Sequence, residues 1–332
     1  MKTAKIGATS LEASTLVLGT WAIGGWAWGG AEEKESIAAI RAALDEGINF
    51  IDTAPIYGQG ISEQVVGKAI QGRRDSVIVA TKAGLRWDLE EGQFNFEDDQ
   101  GTRIYRNLKP HSLREEVERS LQNLQVETID LLQTHWQDDT TAISETMETL
   151  TALKDEGKIR AIGVCNVNSE ELKEYLAAGN IDSIQEMYSM IDRDLEDRLF
   201  PQAREVGLSV LAYSPLAMGL LTGKMGPERT FAEDDMRSWS PRFTVECRKK
   251  IQALLARFEP IREKYDLTTA QLVVAWTLGQ SSVTHVLVGA RNPSQARENA
   301  KAGQVELHSE DLVRMNKILE EEALEIPHPF LD

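Results

Sequence analysis

Cysteine is scarce, basic residues are outnumbered, and no hydrophobic run is long. The 332 residues include two cysteines, Cys165 and Cys247. That is too few for a disulfide framework, and their spacing is not that of a metal site. Five histidines stand singly, so a zinc site is not expected and no metal is assigned. Against 53 acidic residues there are 36 basic ones, a formal net charge of −17. The acids are spread along the length as a solvated surface would have them. Phosphate recognition relies on basic stripes, and their lack argues against nucleic acid and anionic membranes as partners. No segment is long enough to span a bilayer, and MKTAKIGATSLEAS has no apolar signal core, so a reducing cytoplasm is the expected location. No G-x-G-x-x-G follows a strand, which removes the Rossmann fingerprint. GLLTGKM has one residue too few between its glycines, and no Ser or Thr after Lys224, for a P-loop.

What remains is regular alternation. Short apolar runs occupy 16–19 (LVLG), 49–52 (NFID), 77–81 (VIVAT), 129–134 (IDLLQT), 160–164 (RAIGV), 182–185 (DSIQ), 208–213 (LSVLAY) and 285–288 (HVLV). Amphipathic segments lie between them. Residues 33–47 carry Ile37, Ile40 and Leu44 on one face, 112–124 carry Leu113, Val117, Leu121 and Leu124, and 143–156 carry Ile143, Met147, Leu150 and Leu153. The glycines in DEG-INFID, DEG-KIRAIGV and REVG-LSVLAYS suit left-handed helix ends before a short turn. Short continuous strands separated by helices predict a parallel sheet covered on both faces. Eight of them predict one (β/α)8 TIM barrel over residues 1–332, with an open doubly wound sheet as the alternative.

Nearly every run ends in a polar group. Thr20 and Trp21 follow the first, Asp52 ends the second, and Lys82 follows the third. His135 follows the fourth, Cys165 and Asn166 the fifth. Gln185 ends the sixth, Tyr213 and Ser214 close the seventh, and Arg291 lies beyond the eighth. In a barrel these ends converge on one mouth, where barrel enzymes keep their active sites. Asp52, Tyr57, Lys82 and His135 together make a proton-handling set. A phenol titrates near pH 10, and bringing it to about 7 takes roughly 4 kcal/mol. A cation ~4 Å away at an effective dielectric of ~20 supplies about that much. Lys82 is therefore expected to lower the Tyr57 pKa, Asp52 to keep Lys82 charged, and neutral His135 to orient a carbonyl. Singly, Asp52–Lys82 would be a structural ion pair, Tyr57 a turn aromatic and His135 a core histidine. At four converging positions the functional reading prevails.

DTAPIYG, VIVATKAG and DLLQTHW resemble the signature blocks of the aldo-keto reductases, and the similarity runs from LGTWAIGG to GARNPSQARENA. YSPLAMGLLTGK and GARNPSQ are most similar to the bacterial general-stress and inositol-operon type. The resemblance implies an N-terminal β-hairpin, long loops at the C-terminal mouth and a catalytic tetrad of Asp52, Tyr57, Lys82 and His135. It also implies a nicotinamide cofactor, NADPH/NADP+ with NADH possible, lying across the mouth near Gly19, Thr20, Trp21, Asp52 and Gly289. Asn166 and Gln185 would bond its carboxamide, and Tyr213 would stack on its ring. Ser214, Leu216, Gly219 and Lys224 would wrap the pyrophosphate. Arg291 suits a ribose 2′-phosphate at a helix start capped by Asn292. Gln295 would lie beside that phosphate, with Glu298 and Asn299 at the adenine. At Cys165 the sequence departs from the family's usual serine, and a thiol is the weaker hydrogen-bond partner.

Trp21, Trp87 and Trp136, with Tyr57 and His135, are the expected pocket walls, while Trp26 and Trp28 read equally as filler. The connection 84–110 is unusually long and is expected to loop over the substrate. The implied activity is reduction of a small aldehyde or ketone, with Tyr57 as proton donor. Its alternatives are a cofactor-binding redox sensor or regulatory subunit, and an NADP-dependent sugar or polyol dehydrogenase. Nothing in the sequence sets the oligomeric state.

Overall fold

The computed structural model describes residues 1–25, 32–98, 100–233 and 235–329. The hairpin β1 (Thr3–Lys5) and β2 (Glu12–Ser14) comes first, and then β3 (Leu16–Gly19) enters the barrel. Helix α1 (Glu33–Asp45), strand β4 (Phe50–Asp52), helix α2 (Ile61–Ile70) and strand β5 (Ile78–Ala83) follow. Three short strands, β6 (Leu85–Arg86), β7 (Gln93–Glu97) and β8 (Arg103–Arg106), precede α3 (Pro110–Leu124). Strand and helix then alternate through β9 (Ile129–Thr134), α4 (Ile143–Asp155), β10 (Ile159–Cys165), α5 (Ser169–Ala178), β11 (Ser183–Met187) and α6 (Leu199–Val206). After β12 (Ser209–Tyr213) come α7 (Val245–Arg257), α8 (Glu259–Lys264) and α9 (Thr269–Leu278). Strand β13 (His285–Gly289), α10 (Pro293–Ala302) and α11 (Ser309–Glu322) finish the described chain.

All eight strands read from the sequence are present. They close a parallel barrel in chain order, β3-β4-β5-β9-β10-β11-β12-β13, and the N-terminal hairpin is there as well. The strands are apolar on both faces because both faces are covered: every residue of β5 and β9 is buried. Leu18, Ile51, Val79 and Leu132 belong to the large core shared with the helices, whereas Val17, Phe50, Ile78, Ala80, Leu131 and Leu287 form a separate inner cluster. Ile6 and Ala13 join that inner cluster, so the hairpin plugs one end of the barrel. Alternation along each strand carries the inner face onward from Phe50 to Asp52 and from Ala80 to Lys82. The interior is therefore hydrocarbon below and polar at the C-terminal mouth.

Segment 84–110 departs from the loop expectation. Strands β6, β8 and β7 pair antiparallel into a sheet of their own, in that order. Gln93–Glu97 alternates polar and apolar residues over a half-covered face, which a short strand against the barrel rim accommodates. No helix among the described residues is long and apolar enough to cross a membrane.

Candidate active site

Register assembles the mouth. Gly19 pairs with Asp52 across β3 and β4, Lys82 with Gln133 across β5 and β9, Gln133 with Gly163 across β9 and β10, and Cys165 with Gln185 across β10 and β11. A Cβ on Gly163 would lie 2.9 Å from Gln133 Cγ, so the missing side chain leaves room for the glutamine.

Asp52 and Lys82 are almost fully buried and paired, Nζ donating to Oδ1 at 2.6 Å. The other lysine donors reach the Thr53 carbonyl at 3.0 Å and the Tyr57 oxygen at 3.3 Å. All three ammonium hydrogens thus have acceptors. Because the lysine donates to the phenol oxygen, the phenol's own hydrogen is left for another acceptor. The second carboxylate oxygen of Asp52 accepts from Gln185 Nε2 at 2.8 Å and Gln133 Nε2 at 3.2 Å. Burial alone would lower the Lys82 pKa, but Asp52 and Tyr57 outweigh it and hold the lysine above its ordinary value.

The phenol departs from expectation. Burial pushes the Tyr57 pKa up to about 12, and the Lys82 charge only partly offsets this while Asp52 adds to it. Removing a phenolate from water costs more than one neighbouring cation returns, so Tyr57 stays protonated at neutral pH. This suits a proton donor, with the adjacent ammonium serving the phenolate left behind. His135 stands edge-on to Tyr57, ring centroids 5.9 Å apart. Burial and then Lys82 lower its pKa well below the usual value, so the imidazole is neutral.

Tyr57 is held by a close backbone approach. The 3-10 turn Trp21–Gly24 follows β3 and lies on the turn after β4. Gly58 has φ +68°, and a Cβ there would come within 2.3 Å of the Gly24 oxygen. Neither turn could approach so closely with side chains at these positions. Trp21 lies 6.4 Å from the Tyr57 ring. Trp87, Trp136 and Tyr57 pack against one small apolar cluster of Ala54, Ile56, Leu85 and Ile104. Trp26 and Trp28 lie outside the described residues.

The remaining mouth residues are arranged as follows. Asn166, at φ +55°, donates to the His135 carbonyl at 2.9 Å and accepts from the Tyr213 hydroxyl at 2.8 Å. Gln185 turns its amide nitrogen to Asp52, and its Oε1 accepts no hydrogen bond among the described residues. Thr20 Oγ1 donates to the Asp52 carbonyl at 2.9 Å, tying two strand ends. Beyond β12, Ser214, Ala217, Met218 and Gly219 all take positive φ, and the Leu216 carbonyl accepts from Gly219 and Leu221. Lys224 lies 3.9 Å from Glu298. At the start of α10, Asn292 caps Gln295 N, and Gln295 Oε1 accepts from the Arg291 backbone at 2.8 Å. Asn299 donates to the carbonyl of Gly289, the residue facing Gly19. Arg291 itself is exposed.

The family model described as aldo/keto reductase family matches residues 15–320. The chain belongs to this family. It is 41% identical over 323 residues to the aldo-keto reductase YhdN of Bacillus subtilis (strain 168), covering 96% of this chain and 94% of that one. Over 278 residues it is 41% identical to the NADH-specific methylglyoxal reductase of Escherichia coli (strain K12), covering 82% and 84% of the two chains. Its fold is similar to that of the glycerol dehydrogenase AKR11B4 from Gluconobacter oxydans, with TM-score 0.88, 38% identity and coverage of 100% and 99%.

In this aldo/keto reductase one residue of the mouth was not singled out from the sequence. Gln133, fully buried, holds the second oxygen of Asp52. Its signal was a lone amide in the apolar run IDLLQT, two positions from the inward-facing Leu131. Cys165 is buried beside the site, and burial raises its pKa well above the ordinary thiol value, so it is a neutral thiol there.

Proposed function

We propose that this chain reduces small aldehydes or ketones to alcohols with a nicotinamide cofactor, preferring NADPH. The observation that carries the reading is the contact of Lys82 with both Asp52 and the protonated Tyr57 hydroxyl, beside a neutral histidine.

The mouth fits the cofactor by its donor set. Gln185 Oε1 is an acceptor without a protein partner among the described residues, suited to an amide N–H, and Tyr213 offers a flat ring near it. Asn166, Gln185 and Tyr213 would hold the nicotinamide end. Ser214, Leu216, Gly219 and Lys224 would hold the pyrophosphate, and Arg291, Gln295, Glu298 and Asn299 the adenosine end. When bound, the cofactor supplies hydride to the carbonyl carbon. Tyr57 donates its proton to the carbonyl oxygen, the Lys82 ammonium stabilises the resulting phenolate, and Asp52 keeps that lysine charged. Neutral His135 donates to the same oxygen and orients it. Trp21, Trp87 and Trp136 exclude water from the reacting carbonyl.

Arg291 supports the NADPH preference, since a guanidinium matches a 2′-phosphate. The name of the E. coli relative makes NADH the competing cofactor. Polyol oxidation is a second reading, favoured by the fold likeness to a glycerol dehydrogenase, and the same residues would perform it in reverse.

The test is consumption of NADPH and of NADH with methylglyoxal and an aromatic aldehyde, and formation of NADPH with glycerol. Turnover that disappears in Tyr57→Phe, while the variant still binds cofactor, supports the proposal. Undiminished turnover in that variant would remove the phenol as proton donor. Tight cofactor binding without turnover in the unmodified protein would favour a sensor.

A further inference from the structure

We propose that the preferred substrate carries a carboxylate remote from its carbonyl, and that Arg106 binds it. This deepens, and rests on, the carbonyl-reductase reading of the site.

Arg106 is the last residue of β8, in the small sheet that rises from the barrel after Lys82. Its guanidinium carbon lies 4.8 Å from the ring centroid of Trp136. Trp136 follows His135 in sequence and shares with Tyr57 and Trp87 the apolar cluster under the pocket. The arginine therefore stacks on one of the walls assigned to the substrate, a favourable arrangement for a cation on an indole.

Its hydrogen bonds leave it incomplete as an ion. Nε donates to Asn95 Oδ1 at 2.9 Å and Nη1 to the Gln137 carbonyl at 3.4 Å. Both acceptors are neutral, and a guanidinium has five N–H groups. Among the described residues no carboxylate forms an ion pair with Arg106. The contrast with nearby arginines is direct. Arg103, on the same strand, pairs with Glu90 at 3.2 Å, Arg86 with Asp88 at 2.8 Å, and Arg119 with Asp88 at 2.7 Å. The acids closest in sequence to the contacted wall are engaged elsewhere. Asp138 accepts from Leu108 N, Thr140 and Thr141, and Asp139 Oδ2 accepts from Gln93.

A half-buried guanidinium with no direct ion pair is costly, and Asp139, Glu171 and Asp138 offset its burial only at longer range. A substrate carboxylate would supply the missing charge and match the planar fork. A single arginine, with Asp138 and Asp139 close in the chain to its Gln137 contact, suits one negative charge better than a phosphate dianion.

The experiment uses the full chain with its preferred nicotinamide cofactor. Reduction of 4-carboxybenzaldehyde is compared with benzaldehyde, and 4-oxobutanoate with butanal, in the unmodified protein, Arg106→Met and Arg106→Lys. The expected result is a tenfold or greater preference in kcat/KM for the carboxylated member of at least one pair, carried mainly by KM. That preference collapses in the methionine variant and is partly restored by lysine. An unmodified protein without preference overturns the proposal, as does a preference surviving in Arg106→Met or equal losses for charged and neutral substrates. Glyceraldehyde 3-phosphate preferred over every carboxylated aldehyde would overturn the assignment to a carboxylate. Binding of 4-(hydroxymethyl)benzoate against benzyl alcohol, followed by tryptophan fluorescence, requires no turnover. Arg106-dependent binding without reduction of any aldehyde would remove the reductase reading and keep the anion site. Reduction without that binding would do the reverse.

Discussion

Asp52→Asn keeps the shape of the side chain and removes one charge, leaving the Lys82 ammonium buried without its counter-ion. At the observed 2.6 Å separation and an effective dielectric of ~20, the lost attraction is about 6 kcal/mol. That corresponds to roughly four powers of ten in the lysine's proton affinity. Lys82 then tends to release its proton near neutral pH, and the Tyr57 phenolate loses its stabilising cation. Breaking one side of a buried ion pair costs about 3–5 kcal/mol of stability. Turnover should fall by about a hundredfold or more, the scale for losing one charge-stabilising donor. The slope of stability with pH provides the decisive assay, by urea unfolding from pH 6 to 11. In the unmodified protein the folded-state pKa values of Lys82 and Tyr57 are both raised. Their contributions are therefore whole below about pH 10 and lost as pH climbs through the folded values. In the variant the lysine pKa is lowered, so its contribution to stability increases as pH rises from neutrality towards the ordinary lysine value. Below about pH 10 a flat contribution is expected in the unmodified protein and a rising one in the variant, and above it a falling one, from Lys82, in the unmodified protein alone. Parallel slopes with a stability loss below about 1 kcal/mol would show that Asp52 does not control the charge of Lys82.

Two further predictions concern how the site is held. Gly58→Ala places a Cβ where the Gly24 oxygen stands, at a positive φ. It should cost about 1–3 kcal/mol in a thermal melt and lower kcat tenfold or more by displacing Tyr57, whereas wild-type kinetics would show that the two turns can separate freely. Glu116 accepts from the Gly84 amide, and burial raises its pKa from 4.5 to about 8. A raised carboxyl contributes stability that is whole below about pH 4.5 and lost as pH rises through 8. Glu116→Gln should therefore lose less stability between pH 5 and 9 than the unmodified protein, by on the order of a few kcal/mol; equal losses in both would place the proton elsewhere.

The barrel was legible because each strand is a short, largely buried run with a polar residue at or just beyond its end, and glycine turns precede three of them. LVLG and IDLLQT match their strands residue for residue. The mouth was legible for the same reason, since a lone Asp or Lys ending a hydrocarbon run has few other uses. The sheet after β5 was not. QFNFE and RIYR are half exposed, too short to show a period, and separated by a turn rich in acids, so they merge into one long connection. Gln133 was hidden inside its apolar run, where only the inward register shows that its amide meets Asp52. The acidity of Tyr57 runs opposite to the sequence expectation because attraction to Lys82 is visible in a sequence motif, whereas the larger cost of enclosing a phenolate depends on the complete packing around it.

The small sheet β6-β8-β7 leaves and rejoins the barrel between β5 and α3 and makes its ladders within itself. It holds Arg106 and borders Trp87, while the proton-transfer groups sit on the barrel and the turn after β4. On the proposed reading, the part of substrate choice that rests on Arg106 and Trp87 lies on a stretch of chain separate from the chemistry, while the walls Trp21 and Trp136 stay with the barrel strands. Exchanging residues 84–107 for another self-paired hairpin would reshape one wall of the proposed pocket without altering a single barrel ladder, giving laboratory or natural variation a site at which new substrates can be tried while the proposed catalytic floor is inherited intact.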